Sequence, residues 1–401
     1  MAMTRKRAII VGIGIAIFAV FLGWRLVRPM NIFVVTENFE RPMDTSKSSM
    51  STDALRASTC GACHREIYAE WKTSIHSQAW TDPYFQVDWK FDELQQICKN
   101  CHIPLDRQQE YKVLGFSDAE KLKPILADNP DFDAKLQHEG VTCAACHYKD
   151  GKMLGPIGDV DASHPVEKLA DANEICLRCH VVQGERWDTF FRYPPCGTAA
   201  EIAAGGGQWK GRSGELAVGD ASELGCVQCH MPAVERALVD GGPVRKARRH
   251  LWRGGHDPAT VKQALDIRFA EIGADRRAYA LSLTNVGAAH FLPTGTPDRH
   301  LTVHLRVLDR NGQTLAEENH SLKRTTMWRP FIIDLWDTRL PRNQPRSYRI
   351  DVPAAGKPAA VEAVVRYHLL DEARRARIGY ENTEPIAYEV FRSRIVLQQG
   401  Q

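Results

Sequence analysis

Almost no cysteine in this chain is spare. Of eleven, ten fall inside five copies of one five-residue pattern, and only Cys196 is left over. A framework of paired disulfides would not place a histidine behind every second cysteine. Net charge is also nearly absent: +3 on 401 residues, too little to imply nucleic-acid binding. No charged residue occurs between Ala8 and Trp24, and no small-residue cleavage site of the A-x-A kind precedes Pro29. With 43% apolar and 25% charged residues, the rest has the composition of a folded soluble body. Its length suggests two or three domains.

What is present is the pattern CxxCH, as CGACH, CKNCH, CAACH, CLRCH and CVQCH. Its members are Cys60, Cys63 and His64; Cys98, Cys101 and His102; Cys143, Cys146 and His147; Cys176, Cys179 and His180; and Cys226, Cys229 and His230. A zinc ribbon needs paired cysteines but has no use for the histidine. The pattern is the attachment signature of c-type haem. Two thiols add across two vinyl groups, and the adjoining imidazole reaches the iron from the proximal side. Five covalently bound c-type haems are therefore expected. Their propionates would make the loaded protein less basic, and arginines such as those of RKARRHLWR can pair with them in a fork.

The amino terminus carries Arg5, Lys6 and Arg7 ahead of the uncharged run. As a helix, Ala8–Trp24 is about 26 Å long. With Leu26 and Val27, and Arg25 reaching back to the interface, it can cross roughly 30 Å of hydrocarbon. An uncleaved inner-membrane anchor is expected, with the basic end in the cytoplasm and the remainder facing the periplasm. That is also where c-type haem is attached in bacteria.

The expected fold class is α+β: an N-terminal transmembrane helix, a mainly helical and loop domain wrapped around five haems, and a C-terminal antiparallel β-sandwich. The expected division is 1–29 anchor, 30–54 linker, 55–266 pentahaem domain and 267–401 sandwich. Some forty residues per cofactor leave little for a conventional core, so haem faces must supply much of the buried apolar area. The segment 197–215 reads as a flexible insertion. From about 267 the period changes to two: Tyr279, Leu281, Leu283, then Leu301, Val303, Leu305, Val307. DRNGQ at 309–313 is a hairpin signal.

What fills the second axial side of each iron decides the function. Ten histidines lie outside the motifs. His76, twelve residues beyond His64, would on a continuous helix stand about 18 Å along and roughly 120° round from it, so it should serve a neighbouring iron. His138 and His164 each sit just ahead of an attachment motif. His250 and His256 bracket HLWRGGH; one should be a ligand, with His250 preferred. His290, in a Pro/Gly loop between strands, would let the β-domain cap a haem. His304 and His368 fall on strands and read as surface positions; nothing distinguishes His300 and His320. Met231 adjoins its own proximal histidine and cannot reach the far face. The expected metal ligands are thus His64, His102, His147, His180 and His230 with His76, His138, His164, His250 and His290.

The fragment CGACHREIYAEWKTSIHSQAW resembles the multihaem cytochrome c family that includes the tetrahaem electron acceptor of hydroxylamine oxidoreductase. GVTCAACH, CVQCHMP, HLWRGGHDP and GAAHFLPTGTPDRHL are similar to segments of bacterial multihaem cytochromes with a sandwich-like tail. The resemblance implies that the histidine of W-x-x-S-x-H, here His76, is a distal ligand, and that haems pack in near-contact pairs. This chain has five motifs where those relatives have four or eight. The expected function is electron transfer by a periplasmic carrier between redox partners such as quinol dehydrogenases or other cytochromes, with no catalytic residue assigned. The alternative is an oxidoreductase acting on a small nitrogen or sulfur compound at one open haem. Against a nitrite reductase of the lysine-ligated kind, no motif ends in lysine.

Overall fold

The computed structural model describes residues 5–27, 40–47, 51–118, 121, 123–158, 162–180, 197–198, 201–202, 225–273, 277–327 and 333–397. Cys196, most of the linker and most of the expected insertion at 197–215 lie outside them. The first helix, Arg5–Val27, is 23 residues long, and its Arg5–Gly23 stretch is long and apolar enough to cross a membrane.

The fold mixes helices and antiparallel strands. Between residues 51 and 264 the helices are short, as the composition demands. They include Ala57–Cys60, Arg65–Lys72, Pro83–Phe91, Gln96–His102, Cys143–His147, Ala172–His180 and Cys226–His230. All five motifs lie at or beside such helices. Small sheets bind the pieces: Tyr111–Phe116 with Pro124–Asp128, Ala233–Ala237 with Val244–Arg248, and Tyr148–Lys149, Lys152–Gly155 and Val166–Lys168 together. The apolar cluster here is small, built on Leu55, Leu105, Leu136, Ala144 and Tyr148. His76 is not on one helix with His64: the helix stops at Lys72 and turns carry the chain onward.

Beyond residue 264 the period-two pattern becomes two antiparallel sheets. One orders Ile333–Asp337, Thr314–Met327, His300–Leu308, Ala360–His368 and Ala387–Val396; the other orders Arg346–Asp351, Ala278–Asn285 and Leu265–Ile272. Alternate residues of both feed one core: Tyr279, Leu281 and Leu283 from the smaller sheet, with Leu301, Val303, Leu305, Val361, Ala363 and Val365 from the larger. His304, between two buried residues, points outward. The 309–313 turn forms as the sequence indicates. Asp309 accepts from the amides of Asn311 and Gln313, each at 2.8 Å, and Gly312 supplies the positive φ of 79°.

These sheets are tied to the helical part by polar contacts. Arg374 donates to Asp88 (2.5 Å), and Tyr84 donates to Asp298 (3.1 Å). Arg339, 3% exposed, donates to buried Glu201 at 2.6 Å. Glu201 therefore packs into the body, although it lies in the stretch expected to be a flexible insertion.

Candidate metal centres

Four of the five motif histidines have Nδ1 against a backbone carbonyl. Nδ1 of His64 lies 2.6 Å from Leu238 O, that of His102 2.6 Å from Ala79 O, that of His147 2.7 Å from Leu154 O and that of His230 2.8 Å from Arg253 O. A carbonyl can only accept, so Nδ1 carries the proton and Nε2 keeps a bare lone pair. The strand Lys152–Gly155 supplies the Leu154 carbonyl and pairs with Val166–Lys168, two residues past His164. One small sheet therefore orients His147 and positions His164.

Four motif imidazoles face a second imidazole from a distant part of the chain. Ring centroids are 6.5 Å apart for His64 and His164, 6.3 Å for His180 and His76, 6.2 Å for His147 and His250, and 6.4 Å for His230 and His290. Direct stacking would bring rings far closer. Two metal–nitrogen bonds of about 2.0–2.1 Å, plus about 1.1 Å from each nitrogen to its ring centre, sum to about 6.3 Å. A gap of that size has room for one metal ion between the two rings. Nδ1 of His76 and of His164 are also buried with no hydrogen-bond partner, a state that a buried polar atom rarely tolerates without a ligand.

The electrostatics suit neutral ligands. Burial, reinforced by neighbouring imidazoles, pushes His76 down to about 3. Burial likewise brings His102, His250 and His290 to about 4, and lowers His147 and His180. Each is an uncharged donor at neutral pH, ready to bind a metal.

The motifs also cluster. Thiols of different motifs lie within hydrogen-bonding reach: Cys60 with Cys143, Cys101 with Cys179, and Cys176 with Cys226. Adjacent attachment points are what closely packed porphyrins require. Cys63 and Cys229 are exposed, whereas the other eight motif cysteines are partly covered.

The remaining expected sites behave differently. His138 is exposed at the end of helix Ala134–Gln137, and among the described residues no imidazole stands across from it. His102 has no imidazole opposite; Phe85 instead stacks on its ring at 3.6 Å. Of the bracketing pair, His250 is the one aimed at a motif imidazole, while His256 Nε2 accepts from Arg299 at 3.1 Å. His300 and His368, unremarkable or surface-like in the sequence, stack on each other at 4.2 Å.

Three residues escaped the sequence reading. Trp252 meets His76 edge-on at 4.8 Å and His250 at 5.3 Å, wedging two of the pairs together. Glu70 accepts from the His250 amide (2.8 Å), Arg236 (2.9 Å) and Arg249 (2.9 Å), so it fixes the approach to His250. It also takes Arg249 out of the group expected to face propionates. Phe85 is the third. Only HLWRGGH, with a tryptophan beside its histidine, hinted at any of them.

Four imidazole pairs on a mixed helix and strand scaffold, one of each pair following a CxxC, are the arrangement to be compared with known proteins. Among solved structures, the chain is similar to a penta-heme cytochrome c552 from Thermochromatium tepidum, with a TM-score of 0.62 and 20% identity over 86% of this chain and 99% of that one. At that identity the likeness is one of fold. No family model matches the sequence, and no curated protein does.

Proposed function

We propose that the chain is a pentahaem c-type cytochrome that carries electrons between redox partners at a membrane surface. The observation that carries this reading is the set of four imidazole pairs, each 6.2–6.5 Å apart and each joining a CxxCH histidine to a remote one. The residues that would hold the irons are then the pairs His64/His164, His147/His250, His180/His76 and His230/His290, with His102 holding the fifth. The pentahaem domain is 55–266, and 267–401 is a β-sandwich that lends His290. Helix Arg5–Val27 anchors the protein in the inner membrane, with the bulk in the periplasm. The name of the fold neighbour agrees with this reading.

When bound, each haem supplies a one-electron iron couple. The chain's part is to hold and isolate it. Backbone carbonyls at Leu238, Ala79, Leu154 and Arg253 set the proximal imidazoles, and remote histidines close the far sides. Imidazole on both sides favours a lower potential than a methionine would. Trp252 and the touching thiols keep neighbouring sites at short range. Nothing in four of the five sites is left free to bind substrate.

Mass spectrometry of the matured polypeptide tests the reading: five porphyrin additions are expected, and fewer would overturn it. A second reading, oxidoreductase chemistry on a small nitrogen or sulfur compound, is favoured by one observation. His102 is the single motif imidazole with no imidazole facing it, although all fifteen histidines are among the described residues. Carbon monoxide titration of the reduced protein decides between them. No binding supports the carrier; about one equivalent per chain supports an open iron at His102.

A further inference from the structure

The hairpin Tyr111–Phe116/Pro124–Asp128 is only two strands wide and joins no larger sheet. It is unusually apolar for its exposure. Tyr111 (42%), Leu114 (61%), Ile125 (50%) and Leu126 (42%) all face solvent. They are four of the thirteen large exposed apolar side chains described outside the N-terminal helix, gathered on eleven strand residues. An exposed apolar patch of this kind marks an interaction surface.

Its position says with what. Glu40 and Arg41, the first described residues after the N-terminal helix, both grip this hairpin. Glu40 pairs with Lys121, while Arg41 donates to Val113 O (2.5 Å) and Leu114 O (3.3 Å). Twelve residues, 28–39, separate Glu40 from the end of helix Arg5–Val27. Even fully extended, they let Glu40 lie at most about 47 Å from the end of that helix. The hairpin is thus fastened to the first described residues that follow the helix.

The distribution of the apolar groups narrows the partner. Ile125 and Leu126 are consecutive on one strand, so they point to opposite faces, and both are exposed. A protein surface lying against one face would leave the other wet. A lipid interface can receive both. Lys123 is exposed beside them, and Lys112, also exposed, is paired with Asp131 at 2.9 Å; a cation beside apolar groups suits headgroups above acyl chains.

We infer that this hairpin is a second membrane contact: it rests in the periplasmic lipid interface and holds the body at a fixed height and tilt beside the anchor. The inference depends on the anchor reading above. The test places a photocrosslinking benzoylphenylalanine at Leu114 of the full-length protein in native membranes, with the same probe at Val396, 75% exposed on the last strand, as control. The expected result is about tenfold more lipid adducts at 114 than at 396, falling to the control level in an Ile125→Glu/Leu126→Glu variant whose visible spectrum is unchanged. Adducts to a second copy or to another protein, or none above control, would overturn it. If alkaline carbonate washing strips the protein from the membrane, the anchor reading fails; if the protein stays bound without lipid adducts, only the hairpin contact does.

Discussion

His64 and His164 are a hundred positions apart in the chain, yet their rings stand 6.5 Å from each other. At the scale of single residues, this meeting is the strongest constraint on what the protein holds. His164→Ala should leave one additional iron with a single imidazole. Carbon monoxide titration of the reduced protein should then find about one more equivalent than in the parent, with a new high-spin signal in the oxidised spectrum. His138→Ala should change neither, because His138 is exposed and faces no other imidazole. A gain on removing His138, or none on removing His164, would reverse those two assignments. The motif histidines stand out in the sequence because CxxCH binds thiol and imidazole into one local unit. The remote histidines that face them in the fold stand out only in part. A lone histidine carries no covalent signature, and His138, His250 and His256 differ in their surroundings, not in sequence chemistry.

At the scale of elements, the β region should behave as an ordinary two-sheet core. Leu305 is fully buried in strand His300–Leu308, and Leu305→Ala should cost about 2–5 kcal/mol, read as a loss in denaturant unfolding of the tail. Glu362 accepts from Arg306 and from Arg392, the latter at 3.0 Å. Burial opposes its charge, but the two guanidinium groups outweigh that and hold its carboxyl below the ordinary glutamate value. A lowered carboxyl contributes stability above the unfolded value of about 4.3 and loses it as pH falls further. Glu362→Gln should therefore destabilise the tail at pH 7 by about 1–2 kcal/mol, modest because both arginines are partly exposed and screened. It should also flatten the fall in stability between roughly pH 5 and 3. An unchanged acid limb in thermal melts would remove Glu362 from that role. The strands were readable from alternation, which directly reports one buried face. The small sheets at 148–168 and 233–248 were not. Their strands are two to five residues long, and what holds them is the neighbouring motif, not their own pattern.

For the whole molecule, the proposed anchor makes a prediction, since helix Arg5–Val27 is long and apolar enough to cross a membrane. A protein beginning at residue 40 and exported by a cleavable leader should be recovered in the soluble periplasmic fraction with the same visible spectrum as the parent. The full chain should resist carbonate extraction. Recovery of both in one fraction would contradict the anchor. Five CxxCH units and one uncharged run of seventeen residues mark from sequence alone the candidate attachment motifs and a helix apolar enough to cross a membrane, because each is a local chemical pattern needing no neighbours. Which imidazole faces which, that His102 is left without one, and that Glu40 and Arg41 seize an apolar hairpin were decided only in three dimensions. Those pairings join residues tens to hundreds of positions apart, and nothing short of the packed chain brings them within bonding distance.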